Sequence, residues 1–150
     1  MKTSFQTLLL VSVTALMACP ALANAGSGWL TNHKEALEIA AKDNRPILVD
    51  FTGSDWCSWC VKLDKDIFSK PEWQTFAKDN MVLLELDFPN SKPQSNELKA
   101  QNEELQKKFG VNGFPTLVLL DSKGKEIARN EGYLQGGPQA LISWIQKHTK

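Results

Sequence analysis

From residue 31 onward the apolar positions fall into helical and strand-like patterns that alternate along the chain. Ala36, Leu37, Ile39, Ala40 and Ala41 recur at helical spacing, behind Thr31 or Asn32 as a side chain able to cap the first turn. Asp43-Asn44-Arg45-Pro46 ends that helix. Ile47-Leu48-Val49-Asp50-Phe51 is a short apolar run bounded by turn residues, which predicts a buried strand. After the loop Thr52-Gly53-Ser54-Asp55, a helix starts near Cys57 and carries Val61, Leu63, Ile67 and Phe68. Pro71 suits the start of a short helix to Lys78. Met81 to Asp87 reads as a second buried strand, and Phe88 to Asn96 as a turn-rich connection. Glu97 to Phe109 is a charged amphipathic helix stopped at Gly110. Thr116 to Leu120 and Lys125 to Arg129 form a hairpin across Asp121-Ser122-Lys123-Gly124, and Gly136-Gly137-Pro138 opens a last helix through Ile145. The order is β-α-β-α-β-β-α with one helix in front. That predicts an α/β domain in which a right-handed parallel βαβ unit and a ββα unit share one mixed sheet flanked by helices.

The first 25 residues do not fit this scheme. Lys2, an apolar run from Leu8 to Met17 and the string Ala21-Leu22-Ala23-Asn24-Ala25 have the layout of a secretory signal peptide. The run is shorter than the roughly 20 residues needed to span a bilayer. Cleavage is expected after Ala25, which leaves residues 26–150 as one domain in the periplasm or outside the cell. A minor alternative is a lipoprotein anchored at Cys19, because Leu16-Met17-Ala18-Cys19 resembles a lipobox. The whole chain of 150 residues carries 17 Lys and Arg against 17 Asp and Glu. Loss of Lys2 makes that 16 against 17, a net charge of −1. No cationic run exists, so a nucleic-acid partner is not expected. A monomer is.

Three cysteines are too few for a disulfide scaffold. Cleavage would leave Cys57 and Cys60, inside Trp56-Cys57-Ser58-Trp59-Cys60. Two cysteines three apart at a helix start can close a disulfide within one turn, and the first gains from the unpaired N–H groups there. A metal site is not expected, because zinc needs four ligands and His33 and His148 lie at opposite ends. Haem attachment needs His after the second Cys, where Val61 stands. No other cofactor is implied. A structural disulfide is the competing reading of the pair.

Asp50 ends an apolar strand. Desolvation there should raise its pKa and make it a proton acceptor for Cys60; the plainer reading is an acid that caps a loop. Asp64, four residues after Cys60, reads equally as a second acid aimed at the cysteines or as a solvated carboxylate among Lys62, Lys65 and Asp66. Trp56 reads as a packing residue, and Trp59 as an apolar contact surface between the cysteines.

Val49-Asp50-Phe51, Trp56-Cys57-Ser58-Trp59-Cys60 and Gly113-Phe114-Pro115-Thr116 together resemble the thioredoxin superfamily. Asp50-Phe51-Thr52-Gly53-Ser54-Asp55-Trp56-Cys57 and Leu86-Asp87-Phe88-Pro89 are similar, more narrowly, to periplasmic thioredoxin-like reductases of the DsbH type, and more loosely to the C-terminal domain of DsbD. The resemblance implies a thioredoxin-like fold and a cis peptide before Pro115, next to the cysteines, with Phe114, Pro115 and the Gly132-Tyr133 loop on the substrate-facing side. Tyr133 reads equally as a core aromatic. It also implies protein disulfides as substrates and, for an exported reductase without NADPH, a membrane electron donor of the DsbD type.

Charge near the pair bears on direction. Asp50, Asp55, Asp64 and Asp66 against Lys62 and Lys65 leave a local balance of −2. Negative surroundings disfavour a thiolate and hence favour the disulfide, the signature of a reductant. A periplasmic oxidase or isomerase is the rival within enzymes.

Overall fold

The computed structural model describes residues 28–150. The expected leader, its cut after Ala25 and Cys19 lie outside the described residues. Among those residues no helix is long and apolar enough to cross a membrane.

The elements in chain order are β1 (Trp29–Leu30), α1 (His33–Asp43), β2 (Ile47–Thr52), α2 (Ser58–Leu63), a π turn (Asp64–Phe68), α3 (Pro71–Asn80), β3 (Val82–Asp87), α4 (Asn96–Phe109), β4 (Thr116–Leu120), β5 (Glu126–Glu131) and α5 (Gly137–His148). The helix ends follow local chemistry. Asn32 accepts from the Glu35 N–H and Ser95 from the Leu98 N–H, so each caps its helix. Gly110 closes α4 in the left-handed region, at φ 61°, where a side chain is disfavoured.

The strands form one mixed sheet in the order β1-β3-β2-β4-β5. β2 and β3 are parallel, with α2 and α3 in the crossover between them, while β2–β4 and β4–β5 are antiparallel. The expected α/β arrangement is therefore present. One strand exceeds the expectation: β1 adds two residues in parallel to the far edge of β3. A two-residue strand is too short to show a period.

Side-chain parity divides the sheet into two faces. Ile47, Val49 and Phe51 with Val82, Leu84 and Leu86 pack against Ala36 and Ala40 of α1 and Leu105 and Phe109 of α4. Leu48, Leu83, Leu117 and Leu119 pack on the other face against Leu63, Ile67, Trp73, Leu141 and Ile145. Asp50 and Thr52 share parity with Leu48, and Glu85 and Asp87 share parity with Leu83. All four polar side chains therefore belong to the face that α2 covers.

Candidate active site

The loop after β2 turns tightly into α2. The Cys57 N–H donates to the Gly53 carbonyl at 2.9 Å, and Cys57 is the N-cap of the helix. Its Sγ accepts from the Cys60 N–H at 3.2 Å. Cys57 and Cys60 form a disulfide with a Cα–Cα separation of 5.2 Å. In this form the two cysteines are almost equally buried, at 6% and 4% exposure. What separates them is direction. Cys60 lines a cavity shared with Asp50 and open at Asp64, and Cys57 is not among that cavity's lining residues.

Aromatic residues make the rim. Trp59 and Trp56 are exposed, at 56% and 47%. Trp59 and the Tyr133 ring lie with centroids 5.4 Å apart, and the Lys62 ammonium lies 5.1 Å from the Tyr133 centroid. Tyr133 is half-buried, packing against the core on one side and meeting Trp59 on the other, and its hydroxyl donates to Asp66 at 2.7 Å. Trp56 meets Phe114 edge-on and donates its indole N–H to the Phe88 carbonyl at 2.7 Å. It packs as expected while one face stays open to solvent. The Phe114–Pro115 peptide is cis, as the resemblance implied. Gly132 ties its loop to this segment by donating its N–H to the Pro115 carbonyl at 2.8 Å.

Gly53 has a specific reason. A Cβ there would lie 2.5 to 2.7 Å from atoms of the Trp56 indole, which is held by its N–H bond to the Phe88 carbonyl and its edge-on contact with Phe114. We expect Gly53→Ala to expel the indole and cost about 1 kcal/mol, the low end for overpacking because Trp56 is half exposed. Urea unfolding checks the loss, and a parental midpoint would show that the indole has room to move.

Behind the cysteines lies a cavity of about 470 Å³ lined by, among others, Asp50, Cys60, Asp64, Glu85 and Lys92. Asp50 is 6% exposed and its Oδ1 is buried with no hydrogen-bond partner. Its pKa stands well above the usual carboxylate range, first through desolvation and then through the negative charges of Glu85, Asp64 and Asp87. Glu85 is also shifted upward, by desolvation and by Asp87, with Lys92 opposing. Asp64 is exposed but stands at the mouth of this cavity. Asp64 is thus a solvated carboxylate whose charge also acts on Asp50. The π turn beginning at Asp64 widens the helix there, with the Ser69 N–H reaching the Asp64 carbonyl, and lets the adjacent Ile67 and Phe68 both be buried.

Of the four acids counted near the pair in sequence, Asp50 and Asp64 line the cavity with Cys60, and the other two do not. Asp55 is committed elsewhere, accepting backbone N–H groups of Asn90, Ser91 and Lys92, which hold its pKa low. Asp66 is paired with Lys62 and Tyr133. Glu85 and Asp87 of β3 take their place. The acids facing the cavity are thus Asp50 and Asp64 of the original count together with Glu85, with Asp87 also acting on Asp50. Glu85 was missed because Met81 to Asp87 reads as one apolar run; its position two residues after Leu83, on the same face, is the signal that could have found it.

A cysteine pair at a helix N-terminus, with the flanking Trp56 packed on Phe114 of a cis Phe114–Pro115 peptide and a buried acid in the cavity of the second cysteine, defines a dithiol–disulfide site on a thioredoxin-like fold. Residues 33–149 match the thioredoxin-like domain family, and the chain belongs to it. It is 39% identical over 129 residues to the disulfide bond reductase DsbH of Chlamydia pneumoniae, covering 86% of this chain and 76% of that protein. A solved structure described as DsbH oxidoreductase superposes with a TM-score of 0.76 at 37% identity, over 91% of this chain and 94% of that one. A stretch of 108 residues is 32% identical to the thiol:disulfide interchange protein DsbD of Photorhabdus laumondii, covering 70% of this chain and 17% of that protein. With its CxxC pair, the chain is a thiol–disulfide oxidoreductase.

Proposed function

We propose that this protein is an exported reductase of protein disulfides. Reduced Cys57 attacks a substrate disulfide and forms a mixed disulfide. Cys60 then attacks the Cys57 sulfur, closing the internal disulfide and releasing the second substrate thiolate, while Asp50 takes the Cys60 proton. Trp56, Trp59, Phe114, Pro115, Gly132 and Tyr133 form the face that receives the substrate chain, and Asp64 assists Asp50 from the cavity mouth. The leader is residues 1–25, cut after Ala25, and the mature domain acts as a monomer in the periplasm. Its electrons come from a membrane donor of the DsbD type, since that compartment offers no NADPH.

The observation that carries the direction is the acidic cavity behind Cys60. Asp50, Asp64 and Glu85 line it with Lys92 as the cation among its described lining residues. Lys92 is itself engaged, donating to the Ser54 hydroxyl at 2.9 Å. Negative charge there opposes thiolates and leaves the disulfide comparatively stable, which makes the reduced form a donor. The N–H aimed at the Cys57 Sγ gives that sulfur the better support for negative charge and marks it as the attacking one.

Two measurements test this reading. The reduced protein should reduce insulin disulfides catalytically when supplied with dithiothreitol; no acceleration would leave the pair structural. Limited alkylation of the reduced protein at neutral pH should label Cys57 before Cys60, and the reverse order would exchange their roles.

A further inference from the structure

Asp50 and Glu85 are partners in the parallel β2–β3 register. Paired residues on neighbouring strands project to the same side of a sheet, with the strands about 4.8 Å apart. Both side chains line the cavity behind Cys60. Asp50 brings to it a buried Oδ1 with no hydrogen-bond partner. Two carboxyls in one poorly solvated space cannot both be charged freely, so they titrate as a pair.

We propose that Glu85 is a positioning residue for the resolving step, its carboxyl across the β2–β3 pairing setting the pH at which Asp50 becomes free to take the proton of Cys60. This rests on the role given to Asp50 above.

The groups that face Asp50 come from several elements. From α2 comes Cys60, and from the π turn Asp64 at the exposed mouth. From β3 come Glu85 and Asp87. The Asp87 carboxylate is occupied by the Ser54 N–H at 2.9 Å and the Ser54 hydroxyl at 2.6 Å. Lys92 is held on that same hydroxyl. On the β4 side the register partner of Asp50 is Leu117, which is apolar. α3 contributes Gln74 and β1 contributes Trp29, neither a titrating group. Glu85 is therefore the carboxyl that shares both the sheet register and the cavity with Asp50.

The Cys60 thiol loses its proton to the Asp50 carboxylate as its sulfur attacks the Cys57 sulfur. The Cys57–substrate bond breaks, and the substrate sulfur leaves as a thiolate. With Glu85 charged, Asp50 holds a proton to higher pH and, once ionised, is the stronger base. Without that charge Asp50 ionises earlier and pulls less strongly.

The test is the resolving rate from pH 5 to 9. Reduced protein is mixed with excess oxidised glutathione, quenched in acid and analysed by mass spectrometry, which separates the mixed disulfide from the closed one. The parent should show an acid limb set by Asp50, and Asp50→Asn should replace it with a limb at the higher pH where the thiol ionises unaided. Glu85→Gln, close in shape, should move the limb to lower pH, and Glu85→Asp should return it toward the parent. In an Asp50→Asn background, Glu85→Gln should change nothing. Circular dichroism establishes that each variant is folded, and carboxyl NMR of the oxidised protein gives the Asp50 midpoint directly. A limb and an Asp50 midpoint unmoved by Glu85→Gln would overturn the inference while leaving Asp50 in its role. The same shift surviving in the Asp50→Asn background would overturn it too. If Asp50→Asn itself keeps the parental profile, the role of Asp50 fails and Glu85 has nothing to act on.

Discussion

Cys57→Ser should lower disulfide reduction by on the order of a thousandfold or more, and Cys60→Ala should stop it after one attack with substrate still attached. The difference follows from the geometry. Cys57 is the helix cap that receives the Cys60 N–H, among exposed indoles that can meet a substrate chain. Serine there is too weak a nucleophile to open a disulfide. Cys60 faces inward on the cavity of Asp50, so its removal leaves the first attack intact and only the release step is lost. Both variants should remain folded for the assay. The bridge they lose closes a loop of only three residues in sequence separation, for which chain entropy gives about 2 kcal/mol. Non-reducing gels report the outcome: adducts on Cys57 in Cys60→Ala, and none in Cys57→Ser. Adducts forming on Cys60 in the Cys57 variant would reverse the assignment.

The second large effect belongs to Asp50→Asn, and it has opposite signs for stability and for rate. Burial and neighbouring acids raise the Asp50 pKa in the folded chain above its unfolded value of about 3.9. In the window between those two values the folded state binds more protons than the unfolded one, so stability falls as pH rises through it. Above the folded pKa the full cost of the buried charge is present. Asn carries no charge, so the variant should be more stable than the parent at pH 8, with the difference vanishing below about pH 4. Urea midpoints at both pH values measure this; equal stability at pH 8 would mean that the Asp50 charge is compensated. Turnover should fall by about tenfold or more below pH 8, below the free-thiol reference pKa of about 8.5, where a thiol needs a base to ionise. At pH 9 the thiol ionises unaided and the gap should narrow.

Much of this site was legible from residue pattern because its parts are local. The cysteines, the helix they start and the acid seven residues before Cys57 sit in one strand–loop–helix stretch, where period and turn chemistry suffice. What escaped the pattern is non-local. Asp55 and Asp66 are near Cys57 and Cys60 in sequence, yet backbone N–H groups of residues 90–92 and the Lys62–Tyr133 pair hold them elsewhere. Glu85 is 25 residues from Cys60 in sequence, and only the β2–β3 register brings it opposite Asp50. The π turn was equally hidden, since Ile67 and Phe68 fit an ordinary helix of slightly different phase. The cis form before Pro115 came from resemblance alone, because nothing in a single sequence separates it from a trans bond.

A dithiol that gives electrons rather than takes them has a low equilibrium potential, and that potential can be measured on this protein. The protein should be equilibrated with defined ratios of reduced and oxidised glutathione, and the Cys57–Cys60 disulfide counted after acid quench. The acidic cavity predicts a value near the roughly −270 mV of thioredoxin, whereas a value above about −150 mV, toward the roughly −120 mV of the strong oxidant DsbA, would contradict the account.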